Sequence, residues 1–108
     1  MKRTLLLLIS GLLCLTSFAQ LLNKEQAITL NTATGVIHGT LRTPSSAKKV
    51  PIAILIAGSG PTDRNGNQPT MKNNSLKMLA ESLYDNNIAT LCFDKRGIGQ
   101  SASAGLKE

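Results

Sequence analysis

The sequence predicts an α/β fold, an antiparallel hairpin followed by a βαβ unit of a mostly parallel sheet, and three observations carry this expectation. Ile52-Ala53-Ile54-Leu55-Ile56-Ala57 and Ile88-Ala89-Thr90-Leu91-Cys92-Phe93 are aliphatic runs without regular polar alternation, as in strands buried on both faces. Between them, Leu76, Leu79, Ala80 and Leu83 recur at i, i+3, i+4 and i+7, the period of an amphipathic helix. Ahead of them, residues 27–42 alternate around a cluster of turn-forming residues.

Each element follows from its residues. Ile28 and Leu30 alternate with polar neighbours, residues 31–35 supply turn chemistry, and Val36, Ile37 and Leu41 form the returning strand that Pro44 closes. A polar loop leads to the first aliphatic strand, which Pro51 and Gly58 bound. A long loop rich in Gly, Asn and Pro spans residues 58–74. Asn74 or Ser75 is placed to cap the helix, and Asn86-Asn87 to end it in the left-handed conformation. Strand, helix, strand then implies a right-handed crossover. Strands buried on both faces need helices on both faces, yet one helix is supplied before a Gly-rich loop. The sheet is expected to be incomplete, the N-terminal part of a larger protein.

The chain has 108 residues, 42% hydrophobic and 17% charged, which fits one small folded domain and excludes wholesale disorder. Met1-Lys2-Arg3, an apolar run over residues 5–15 and Ser17-Phe18-Ala19 read as a signal peptide cleaved after Ala19. The run falls short of the roughly 20 residues of a membrane span. Leu13 before Cys14 is not the small residue that lipoprotein processing requires. Residues 1–19 are thus expected to be a leader and 20–108 the folded part of an exported, periplasmic or secreted protein without a stable membrane anchor. The remaining basic residues are scattered and aromatics are few, which argues against a nucleic-acid partner. Cys92 alone survives cleavage, so no internal disulfide is expected, and it reads as a small buried hydrophobe. One His and one Cys cannot supply a metal-ligand cluster, and no cofactor is expected.

Two loops carry chemistry. Gly58-Ser59-Gly60-Pro61-Thr62-Asp63-Arg64-Asn65-Gly66-Asn67 sits at the carboxyl end of a buried strand, where open α/β sheets bind ligands. Its glycines let backbone N–H groups approach a developing negative charge. Asp94-Lys95-Arg96-Gly97-Ile98-Gly99-Gln100-Ser101 follows the second strand. There, Asp94 and Arg96 are expected to pair and pin the loop, with Gly97 and Gly99 permitting sharp turns.

Together these features, over nearly all of residues 24–103, resemble the α/β-hydrolase superfamily and in particular its secreted bacterial esterase and serine-aminopeptidase-like branch. The resemblance implies acyl transfer to water through a Ser, acid and His triad in that chain order. It also implies that a backbone N–H just after the first buried strand forms half of the oxyanion hole. Gly58 aligns with the glycine of the usual His-Gly pair, Ala57 replaces the His, and Ser59 becomes the expected donor, with Gly60 second. Gly58, Asp94, Arg96, Gly97 and Gly99 are the expected loop supports. The substrate implied is a small carboxylic ester, or a peptide for an aminopeptidase-type relative.

The family's nucleophile elbow, Gly-x-Ser-x-Gly, occurs nowhere in the sequence. Ser101-Ala102-Ser103-Ala104-Gly105 imitates it, but no strand precedes Ser103. His38, the only histidine, lies in the hairpin rather than late in the chain. The triad is therefore expected beyond residue 108, and the segment alone is expected to be inactive. Gly97-Ile98-Gly99-Gln100-Ser101-Ala102 matches a dinucleotide-binding pattern but follows its strand too late and opens no helix pattern. A secreted non-catalytic binding module on the same scaffold is the alternative of a different class.

Overall fold

The computed structural model describes residues 25–45 and 48–105. The expected leader over residues 1–19, its expected cleavage site and Cys14 lie outside the described residues.

β1 (Glu25–Thr32) and β2 (Gly35–Arg42) form the hairpin, with Glu25 opposite Arg42 and Thr32 opposite Gly35. The turn is tighter than expected, because Asn31 and Thr32 belong to the strand and only Ala33-Thr34 connects. Thr32 Oγ1 donates to the Gly35 carbonyl at 2.7 Å and closes it. Gly35 has φ +137°, and a Cβ there would lie 2.5 Å from the Ser103 carbonyl oxygen. Only glycine lets the hairpin end and the chain's last described turn approach so closely.

β3 (Ile52–Leu55), α1 (Ser75–Asp85) and β4 (Ala89–Phe93) form the βαβ unit, and β3 pairs parallel to β4 with Ile54 beside Leu91. β2 pairs antiparallel to β4, giving the order β1-β2-β4-β3 in one mixed sheet. The Asp94 N–H donates to the His38 carbonyl at 2.9 Å and extends the β2–β4 ladder by one bond.

On α1, Ala80 is fully buried and Leu76 and Leu83 are half-buried, while Leu79 stays 46% exposed. The helix packs on β4. Its start differs from expectation: Asn74 is the cap residue, yet its backbone is left-handed (φ 52°) and its side chain makes no capping bond. The first N–H groups are instead satisfied from the preceding loop. Ser75 N donates to Asn73 Oδ1 at 3.0 Å, and Leu76 N and Lys77 N to the Asn65 carbonyl at 3.1 and 3.3 Å. The end is as expected, with Asn87 left-handed at φ 60°.

Register separates the sheet faces. Thr40 and Arg42 share one face with Thr90 and Cys92; Arg42, Thr90 and Cys92 are buried there. Arg42 also binds the Glu25 carboxylate across the hairpin at 2.7 Å. The opposite face presents Ile28, Leu30, Ile37, Ile54, Leu91 and Phe93, with Leu30 63% and Ile54 57% exposed. The aliphatic strand is therefore shielded on one face only, since nothing among the described residues stacks on the other.

Candidate functional site

β3 and β4 run parallel, so both emerge at the same sheet edge and their following loops meet there. Asp94 joins them. It is 2% exposed; one carboxylate oxygen accepts the Arg64 main-chain N–H at 2.8 Å, and the other accepts the Gln100 N–H at 3.0 Å. The Arg64 guanidinium stands 3.4 Å from the same carboxylate, and it also donates to Thr40 Oγ1 at 3.2 Å and to Gln100 Oε1. The expected pairing of Asp94 with Arg96 is thus replaced by a pairing with Arg64, 30 residues away in the chain. Arg96 points to the hairpin turn, where it donates to Thr32 Oγ1 at 3.0 Å and to Thr34 Oγ1. It supports the second loop against β1 and β2 rather than across the sheet edge.

Both expected glycines are required by backbone geometry. Gly97 has φ +78° and Gly99 φ +52°, and a Cβ on Gly99 would lie 2.6 Å from an Asp94 carboxylate oxygen. Beyond them Gly99–Ala104 is a kinked 3₁₀ segment, with Ser101 fully buried and its Oγ accepting the His38 main-chain N–H at 2.9 Å. Ser103 therefore sits in a 3₁₀ turn with no strand before it. His38 uses its main chain to join β2 to the second loop.

The first loop is built on two side chains. Asp63 Oδ1 accepts the N–H groups of Asn65 and Asn67 at 2.8 and 3.0 Å, while Asn67 Oδ1 accepts those of Asn73 and Asn74 at 3.0 and 2.9 Å. This hydrogen-bonded polar loop begins with an exposed segment, Gly58 to Gly60, just beyond the end of β3. Gly60 has φ +82°, and a Cβ on either glycine would meet nothing within 4 Å. Among the described residues, neither the Ser59 nor the Gly60 N–H donates a hydrogen bond. Lys95 Nζ donates to the Gly60 carbonyl at 2.9 Å and to the Gly58 carbonyl.

Lys95, Arg64 and Gln100 were not among the expected site residues. The signal available was the parallel strand pair: it delivers the residues after Phe93 to the edge where the residues after Leu55 emerge. Cys92 lies beneath this edge, and burial pushes its thiol pKa up, partly opposed by the Arg42 guanidinium beside it. No group of three or more His, Cys, Asp or Glu able to hold a metal occurs among the described residues. Nor is any helix there long and apolar enough to cross a membrane.

No family model and no curated protein matches the sequence. Solved structures do match. An α/β hydrolase, GrgF, from Penicillium sp. sh18 aligns with a TM-score of 0.55 at 22% identity, over 70% of this chain and 23% of its own. A cold-adapted esterase from an Arctic intertidal metagenomic library aligns at 0.51 and 17% identity, over 70% of this chain and 29% of its own. A lidless α/β serine hydrolase from Xanthomonas campestris aligns at 0.53 and 24% identity, over 80% of this chain and 37% of its own. The chain thus spans well under half the length of each. Its hairpin, its parallel strand pair and the loops that meet at their carboxyl ends are part of an α/β-hydrolase fold.

Proposed function

We propose that this chain belongs to an exported serine hydrolase acting on small carboxylic esters, in which the Ser59 N–H is an oxyanion donor, with that of Gly60 as second choice. The observation that carries the reading is the exposed Gly58 to Gly60 segment at the carboxyl end of β3, with two N–H groups that donate to nothing among the described residues. In an α/β-hydrolase fold that position faces the reacting carbonyl. Structural similarity to an esterase supports the ester substrate over the peptide one. Export rests on the leader pattern of residues 1–19.

In the mechanism, an ester carbonyl docks over the segment and a serine attacks it, supplied with its acid and histidine by residues outside this sequence. Negative charge moves to the carbonyl oxygen as the tetrahedral intermediate forms, and the Ser59 N–H donates to it. The contribution comes from fixed donors that need not reorganise during the reaction. Losing one such donor costs about 100- to 1000-fold in turnover.

Ser59→Pro removes the N–H, whereas Ser59→Ala keeps it. In the full-length protein, kcat on a short p-nitrophenyl ester is expected to fall by about 100-fold or more in the first variant and to stay within a few-fold in the second. Near-native turnover in both would refute the assignment.

A further inference from the structure

Lys95 leaves the end of β4 and its half-buried side chain crosses to the neighbouring strand's loop, where the ammonium bonds the carbonyls of Gly58 and Gly60 on either side of Ser59. We infer that Lys95 is the positioning residue of the oxyanion segment: it sets the Gly58–Ser59 peptide plane whose N–H faces the substrate and anchors the far end of the segment at Gly60, without touching the substrate itself.

The argument begins with peptide geometry. No cis peptide occurs among the described residues, and in a trans peptide the C=O and the following N–H point in opposite directions. Holding the Gly58 carbonyl toward Lys95 therefore turns the Ser59 N–H away from it. There the N–H donates to nothing among the described residues. The Gly60 carbonyl is followed by Pro61, which has no N–H, so its bond to Lys95 serves as an anchor alone. Thr62 Oγ1 donates to the intervening Ser59 carbonyl at 3.4 Å, a long bond that leaves most of the restraint to the lysine.

The residue types explain why the restraint matters. With two glycines in three residues, the Gly-Ser-Gly segment loses more backbone freedom on ordering than a segment of Cβ-bearing residues, and so is poorly self-supporting. An ammonium has three donors and can hold two carbonyls from one point. Its charge also polarises the Gly58–Ser59 peptide, and polarised chains of hydrogen bonds donate more strongly at their far end. One side chain thus both orients the donor and strengthens it.

The inference rests on the oxyanion role proposed for Ser59, so the test uses one readout that depends on activity and one that does not. In the full-length protein, Lys95→Met keeps the stem without donors and Lys95→Arg keeps a cation with donors. Backbone order parameters at Ser59 and Gly60 are expected to fall from about 0.85 to below about 0.6 in the Met variant and to recover in the Arg variant. On a p-nitrophenyl ester, kcat is expected to drop at least about tenfold in the Met variant with KM little changed, and to be largely restored by Arg. The thermal midpoint should move by no more than a few degrees, because the lysine head is at the surface. Unchanged order parameters in Lys95→Met would overturn the positioning role whatever the activity, as would a kcat within twofold of the parent. A parent protein without esterase activity whose segment nevertheless loosens in Lys95→Met would retain the restraint and remove the oxyanion reading.

Discussion

Asp94 is 2% exposed and receives two main-chain N–H groups and a guanidinium, one loop supplying Arg64 and the other Gln100. Replacing it by alanine would leave an arginine partly buried without its counter-charge and two amides without acceptors. Removing one partner of a buried ion pair costs about 3 to 5 kcal/mol, and because Arg64 keeps its bonds to Thr40 and Gln100 the lower end applies. Asp94→Ala is thus expected to lose about 3 kcal/mol in urea unfolding of the full-length protein, with a smaller loss for Asp94→Asn, which keeps one acceptor. A loss under about 1 kcal/mol would mean the loops are held by other contacts. This network was only half legible in the sequence. The need for Gly97 and Gly99 could be read from the motif, but the partner of Asp94 could not, because Arg96 is nearer in the chain while Arg64 is nearer in space. The Arg96 side chain is instead taken by the two threonines of the hairpin turn, contacts 62 and 64 residues apart that no local pattern encodes.

The secondary elements were more legible than the site because periodicity is a local property. The α1 pattern located the helix, and the two aliphatic runs located β3 and β4. What failed was the helix start, where Asn74 takes left-handed backbone and leaves capping to Asn73 and to the Asn65 carbonyl in the preceding loop. Asn67 is central to that arrangement: its side chain accepts the N–H groups of Asn73 and Asn74 and donates to Asn74 Oδ1 at 2.8 Å. These three bonds tie the loop that carries the candidate site to the two residues that lead into α1. Each is solvent-accessible, and a typical intramolecular bond contributes about 0.5 to 1.5 kcal/mol net. Asn67→Ala is therefore expected to cost about 1 to 2 kcal/mol in thermal unfolding. Asn67→Asp, which retains the acceptor, should lose less. Equal losses would place the stabilisation in the donated bond alone.

At the scale of the molecule, the two sheet faces are unequal. One carries Arg42, Thr90 and Cys92 under cover, and the other presents Ile28, Leu30, Ile37, Ile54, Leu91 and Phe93 as a continuous apolar surface. Parallel strand pairs are found almost only where both faces are covered, and soluble proteins seldom leave apolar patches above a few hundred Å² open. The three hydrolases named above are each much longer than this chain, so the face is expected to be packed where the fold is complete. Ile54, at the centre of the parallel pair and 57% exposed among the described residues, separates the possibilities. If the face is covered, Ile54→Asp buries an unpaired carboxylate and should cost about 3 kcal/mol or more. That corresponds to a fall of roughly 6 to 12 °C in Tm for a domain of 150 to 250 residues. If the face stays open to water, the substitution should behave like Lys72→Gln on the exposed loop, within about 0.5 kcal/mol of the parent. A small Tm change in Ile54→Asp beside an equally small one in Lys72→Gln would show an open sheet face, and the second helical layer expected of the fold would be missing from this protein.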